Sequence, residues 1–458
     1  MRSSRSTFAR ESSSTRPHKE AVWRRRAGRA GTDTAFSQPK TAMPSSGSRL
    51  PGIEGLRAIA AGSILIFHGW RYGSPDQPPP QFGPLTSIMP HLSLGVILFF
   101  CLSGFLLYRP FAAAVLRATP GPSIRIYLRN RALRILPAYW VILFVTGVML
   151  NAALLRDGSS KMELGSLAHQ PATLAKNFAL VHSYDPQTLL TGIGPAWSLV
   201  IEVAFYVTLP LLAMLAVLLA RRARTRRGRR LATLVGPLVL LALGLLGKVF
   251  AHFVRAHSGV GFSGWGADWY SVLARSFLTN ADLFVFGMLL AVLHTDIEDG
   301  LLRLPRWWRY AAAAAAGAVA LAAVHITSNT TGIGDAKYDT LMTIPCGLLL
   351  AIVVLPDPTP SRHWRLTGLL DSRPLVAIGL VSYSLFLWHE PLLYWLREQG
   401  LTLAGTGGFV VNLVVLTMVT GLLSWLTYRY VEVPAMSRRR RQAPPTDLVA
   451  SEQARAAP

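Results

Sequence analysis

The chain has 458 residues, 51% of them hydrophobic and only 15% charged, and its mean hydropathy is positive. That balance excludes an ordinary soluble domain and a disordered one. The formal charge of +23 raises the question of nucleic acid. The arginines, however, flank apolar runs instead of forming one basic face, so no nucleic-acid partner is expected.

The first 49 residues are rich in Arg and Ser and lack an apolar core, which excludes a secretory signal peptide. They read as a disordered basic tail. Met43 precedes the first patterned sequence and is the expected start of translation, which the intact mass of the native protein checks.

Ten apolar runs of helix length follow, near 53–73, 92–116, 135–155, 196–220, 231–254, 270–293, 308–328, 338–356, 374–396 and 406–433. The fold expected is an all-α polytopic bundle: a transmembrane domain over 50–435 and a second basic tail over 436–458. Basic segments lie in the N-terminal tail, then at Arg117 to Arg134, Arg221 to Arg230, Arg303 to Arg309, Arg362 to Arg373 and Arg438 to Arg441. They recur after every second span, which is expected to place both termini in the cytoplasm. The Pro-rich connection 74–90 has the length of a lid. The longest connection, 151–195, has room for short helices over a cavity mouth. Asn329-Thr330-Thr331 fits a glycosylation triplet that is common by chance, and no strand pattern stands out. Cys101 and Cys346 sit inside apolar runs as packing residues. Without CxxC or a comparable ligand spacing, no metal site is expected.

Four polar clusters interrupt the apolar runs. Arg57 and His68 lie eleven positions apart, roughly three turns, so they share one helix face about 16 Å apart. Lipid penalises both, so they are expected to face a cavity, although a membrane histidine also serves as a packing donor. Arg125, Arg129, Arg131 and Arg134 open the third span. Flanking charge accounts for Arg125, whereas Arg131 and Arg134 share a face and suit a phosphate-bearing ligand such as coenzyme A. Glu202 lies just inside the fourth span after Trp197, with Tyr206 one turn on as a partner. Tyr383 and His389 lie in SYSLFLWHEP in the ninth span, where an interfacial helix end anchored by Trp388 is the bland alternative. Counted from their helix ends, Glu202, His68 and His389 fall at similar depth, and Asp282 in the sixth span is a further candidate for the cavity wall. His294 and Asp299 match the H-x4-D pattern of glycerolipid acyltransferases without that family's other blocks.

Together these clusters resemble the acyltransferase-3 family of integral-membrane O-acyltransferases. The resemblance covers most of 50–433 and rests on GLRAIAAGSILIFH, LFFCLSGFLLYRPF, RNRALRILPAYW, WSLVIE and SYSLFLWHEP in the family's order. It implies ten core helices and transfer of an acetyl or longer acyl group from a thioester, usually acyl-CoA, to a hydroxyl. Acceptors in the family include envelope polysaccharides, peptidoglycan and secreted small molecules such as macrolides. Two departures stand out. Glu54 replaces a frequent Asp, and Val96-Ile97-Leu98 stand before Phe99-Phe100, where relatives often carry an acid. The chain is expected to lack the fused SGNH-type domain of some relatives.

The expected mechanism has Arg131 and Arg134 holding the coenzyme A phosphates at the cytoplasmic mouth, with acyl-CoA a co-substrate and no permanently bound cofactor. His68 is the general base for an acceptor hydroxyl. Glu202 orients His68 or helps bind the acceptor, and Arg57 binds the donor or fixes its helix. Trp197, Tyr206, Asp282, Tyr383 and His389 are candidates for the acceptor site or cavity wall. Membrane lipids, acyl-CoA and a hydroxylated acceptor are the expected partners. The rivals are a transporter or lipid flippase using the same buried charges, and the other large membrane O-acyltransferase class with His389 as its main histidine.

Overall fold

The computed structural model describes residues 50–75, 79–156, 162–258, 264–327, 334–356 and 365–440. The tails at 1–49 and 441–458, Met43, the Asn329 triplet and Arg362 lie outside the described residues. Ten long helices dominate: α1 (Ile53–Tyr72), α2 (Gly95–Arg117), α3 (Ile124–Phe144), α4 (Ala196–Arg221), α5 (Arg226–Ser258), α6 (Val285–Glu298), α7 (Trp308–Thr327), α8 (Ala336–Val354), α9 (Arg373–Glu398) and α10 (Gly405–Thr427).

Among the described residues, nine helical segments, α2 to α10 with their short extensions, are long and apolar enough to cross a membrane. The tenth rod, α1, has 20 residues, about 30 Å, which also suffices. Glu54, Arg57, His68 and Arg71 make it less apolar than the others. It tolerates them because its polar side packs against protein, chiefly α9. The protein is therefore a multi-pass helical membrane protein.

Small residues set the closest helix contacts. A Cβ on Gly379 of α9 would collide with the Glu54 backbone of α1, and one on Gly287 of α6 would collide with the Cys101 backbone of α2. At both places the two backbones touch. The α1–α9 pair runs parallel in one register, with 54 beside 379, 57 beside 382 and 72 beside 397.

Three of the basic segments that follow alternate spans are linked by ion pairs and hydrogen bonds. Arg109 and Arg117 at the end of α2 pair with Glu298 and Asp299 after α6. Arg226 and Arg230 at the start of α5 pair with Asp296 and Asp299. Arg129 of α3 donates to the Arg438 carbonyl. These residues define an arginine-rich face. His294-x4-Asp299 belongs to this staple: His294 is buried against Phe105, and Asp299 is held by two arginines.

Four expectations need correction. The third span, expected over 135–155, is helical from Ile124 to Phe144 and closes in a π-turn at Val145–Met149. The arginine stretch thus lies inside the helix, since no Pro or Gly breaks it before Pro137. The sixth span is broken into Trp269–Ala274, Phe277–Asn280, a 3-10 turn Ala281–Phe284 and α6. The tenth continues through a π-turn, Tyr428–Glu432, into Val433–Arg440. Finally, strands β1 (Ala153–Arg156) and β2 (Met162–Gly165) form an antiparallel hairpin, and Leu154 bridges to Gly192. The long connection dips into the bundle, where its backbone polar groups need partners that four-residue strands supply.

Candidate active site

The α1–α9 register sets two polar storeys about 16 Å apart along α1, the eleven-residue rise from Arg57 to His68. The far storey, near the C-terminal ends of α1 and α9, holds the histidines. His68 Nδ1 lies 2.8 Å from His389 Nε2, and the rings stack with centroids 4.9 Å apart. Tyr72, one turn on from His68, also stacks on it, with centroids 5.9 Å apart. Glu390 follows His389, and its Oε1 accepts the Tyr394 hydroxyl at 2.9 Å. Trp388 anchors this part of α9 to α10 by donating to Thr427 at 3.0 Å. His389 is wholly buried, so it is no interfacial helix end.

A cavity of about 910 Å³ opens over this storey. Its floor includes His68 and Glu390, and Trp70, Tyr72, Trp197 and Trp265 are among its aromatic walls. Both connections contribute lining, among it Pro79, Gln81 and Pro90 from the first and Leu154, Leu190 and Gly194 from the second. The volume suits a drug-sized or short saccharide ligand.

The near storey lies toward the arginine-rich face. Arg57 Nε donates to Ser382 Oγ at 3.2 Å and stands 3.9 Å from Glu54. Glu202 Oε1 accepts from Ser103 at 2.5 Å and Tyr206 at 2.6 Å. Arg131 lies over the Tyr206 ring at 5.9 Å, and its buried Nε has no hydrogen-bond partner. Arg134 is within electrostatic range of Arg57 and Glu432, and Glu432 accepts from Ser384 at 2.6 Å. Tyr383 donates to the Ile135 carbonyl at 2.9 Å, tying α9 to α3. Fixed guanidinium groups with one unsatisfied N–H suit an anion or a polarised carbonyl.

The five residues Arg57, Arg131, Arg134, Tyr206 and Glu202 are thus gathered together, whereas His68 and His389 stand apart from them. The expected common depth fails for Glu202. Gly194 already sits at the level of Glu390, where a Cβ would come 2.5 Å from Oε2. Glu202 is eight residues deeper, and the six from Ala196 alone rise about 9 Å. Helix α4 begins inside the bundle because the preceding connection dips, so counting from its first residue misplaces Glu202. His389, and not Glu202, meets His68.

Trp197 lines the cavity as expected. Asp282 does not: it accepts from Lys248 at 2.5 and 2.6 Å and from Thr340 at 2.7 Å, in the break before α6. A buried carboxylate there is answered by a lysine on α5 that scattered loop charges concealed. Ser103, Ser382, Ser384, Glu390, Tyr394 and Glu432 were not singled out by sequence. Glu432 was legible as an acid inside an apolar run, and Glu390 as the neighbour of His389. The serines carried no signal of their own. Among the described residues no group of three His, Cys, Asp or Glu side chains could hold a metal ion.

The model of the acyltransferase domain matches residues 50–429, which takes in both storeys apart from Glu432. BcsY of Komagataeibacter xylinus, named as a membrane-bound transacylase, is 25% identical over 385 residues, covering 83% of this chain and 82% of that protein. The O-acetyltransferase OatA of Staphylococcus aureus is 23% identical over 410 residues, 84% of this chain and 57% of OatA. YrhL of Bacillus subtilis, named as a peptidoglycan O-acetyltransferase, is 24% identical over 404 residues, 84% of this chain and 54% of YrhL. The chain thus spans little more than half the length of the latter two. No solved structure matches. With the family's domain running through nearly every helix described above, the chain belongs to the acyltransferase-3 family of membrane acyltransferases.

Proposed function

We propose that the protein is an O-acyltransferase moving an acetyl or other short acyl group from acyl-CoA to a hydroxyl of an envelope glycan or secreted small molecule. The observation that carries this reading is His68 on the floor of the far cavity, paired with the buried His389 and on the same rod as Arg57 in the near storey. Two relatives named as O-acetyltransferases, one of them a peptidoglycan O-acetyltransferase by its name, support the acetyl group and the glycan.

In this mechanism the arginine-rich face is cytoplasmic, and Arg131 and Arg134 hold the donor's phosphates while its thioester arm reaches toward His68. Arg57 lies along that route. The acceptor hydroxyl, with a pKa far above neutrality, needs a base within hydrogen-bond reach. The facing imidazole nitrogens stand 2.8 Å apart, the separation one bridging proton requires. With Nδ1–H donated to His389 Nε2, His68 keeps a free lone pair on Nε2, so His389 acts as the positioning residue that fixes this tautomer. The hydroxyl oxygen attacks the thioester carbonyl as its proton passes to His68 Nε2. The C–S bond then breaks, and the sulfur takes that proton, leaving an ester and free coenzyme A thiol. Glu202, held by Ser103 and Tyr206, shapes the near storey instead of orienting His68.

The test is release of free thiol from acetyl-CoA by purified protein in nanodiscs, with mass spectrometry of the acceptor. Thiol release matched by a 42 Da gain on a hydroxylated acceptor (the acetyl increment, about the mass of C2H2O) is the expected result. Thioester left intact under all acceptors overturns the reading.

A further inference from the structure

Glu390 has no part in the proton transfer above, yet its carboxylate is in the cavity wall beside the reacting pair. Its residue is only 6% exposed. Oε1 is taken by Tyr394, and among the described residues no hydrogen bond reaches Oε2. On one side that oxygen is packed close to Gly194, where an added Cβ would stand 2.5 Å away, and Glu390 lines the cavity. A desolvated acceptor atom left facing a ligand cavity asks for a donor from the ligand.

We infer that Glu390 is the specificity determinant of the acceptor site, taking a hydrogen bond from a second hydroxyl of the acceptor while His68 engages the first. This rests on the O-acyltransferase reading and narrows its acceptor to a polyol, of which a saccharide is the natural form. The aromatic walls at Trp197 and Trp265 offer flat apolar surface to the ring faces of such a molecule. An ammonium group is the disfavoured alternative. Arg71 already lies over the Tyr72 ring at 5.3 Å, and Arg397 over the Tyr394 ring at 5.9 Å. Both tyrosines nearest Glu390 therefore carry a cation of the protein's own, which repels another.

The experiment compares acetyl transfer to two probes of equal tail, octyl β-glucoside with four hydroxyls on its sugar and octanol with one. The wild type in nanodiscs is expected to prefer the glucoside in kcat/KM. In Glu390→Ala the glucoside-to-octanol ratio falls about 10- to 100-fold, the size expected for one lost hydrogen bond to a charged group, and Glu390→Gln recovers part of it. Gly194→Ala, which crowds Oε2 from the opposite wall, shifts the ratio the same way and serves if Glu390→Ala does not fold. A ratio unchanged within twofold in the folded variants overturns the inference, even if both rates fall together. A wild type that acylates octanol as well as the glucoside, or neither while consuming acetyl-CoA, also overturns it. A wild type that consumes no thioester overturns the function reading instead.

Discussion

The two polar storeys are built from the same kind of residue and do opposite things with it. In the far storey the functional atoms are left open: His68 and Glu390 face a cavity of about 910 Å³, and only one oxygen of Glu390 is engaged. In the near storey most groups are engaged with one another, Glu202 by Ser103 and Tyr206, Glu432 by Ser384, and Arg57 by Ser382. The first arrangement costs folding energy and suits a ligand that supplies the missing bonds. The second repays its own desolvation and keeps charges in place for a donor that passes through. Substitutions should therefore separate into losses of rate and losses of stability according to storey.

The largest effect is expected at His68. His68→Ala lowers acyl transfer about 10²- to 10⁴-fold, the usual worth of a positioned base, while thermal unfolding shifts little, because the cavity already accommodates the change. An unaltered rate in a folded variant would remove the base. His389→Ala costs less, about tenfold, and its distinguishing readout is a displaced pH–rate profile, since only the tautomer control is lost.

In the near storey, Arg131→Ala and Arg134→Ala raise KM for acetyl-CoA about tenfold each with kcat nearly kept, the pattern of an interaction made equally in ground and transition states. Acetyl-pantetheine, which lacks the nucleotide phosphates, should show no such dependence. Equal effects on both donors would move the arginines out of the donor site. Glu202→Ala is expected to act mainly on stability, by about 1–3 kcal/mol, because it strands the Ser103 and Tyr206 hydroxyls. Thermal unfolding in detergent reads it, and an unshifted midpoint with lost activity would make Glu202 a reacting group.

The smallest effect lies in the connection that roofs the cavity. His182 is wholly buried, neither ring nitrogen has a hydrogen-bond partner, and burial pushes it from its ordinary 6.5 down to about 4. The unfolded chain therefore takes up a proton between pH 6.5 and 4 that the folded one refuses. Stability is intact above 6.5 and falls as pH drops through that window, by at most about 3 kcal/mol at 1.36 kcal/mol per pH unit. Limited proteolysis within 151–195 should accelerate toward pH 4.5 in the wild type and lose that dependence in His182→Phe.

Much of this arrangement was legible before the coordinates. Arg57 and His68 on one face follow from helical spacing alone, and three of the basic segments, at Arg117 to Arg134, Arg221 to Arg230 and Arg438, are linked at one face. Seven of the ten spans, all but the third, sixth and tenth, have boundaries close to those read from hydropathy. What was not legible depends on tertiary placement. The depth of Glu202 was misjudged because nothing local says that α4 starts below a dipping connection. Asp282 looked like a cavity residue because its partner Lys248 sits 34 positions away on another helix. The third helix began earlier than its apolar run because Arg125 to Arg134 is helical despite its charge.

The most direct test of the central claim, that donor and acceptor reach the reaction from opposite faces, uses proteoliposomes of known orientation. Acetyl-CoA is supplied on one side of the bilayer and an impermeant polyol acceptor on the other. Transfer only when acetyl-CoA meets the arginine-rich face and the acceptor meets the cavity face is the predicted result. Equal transfer with both substrates confined to one side would contradict the account.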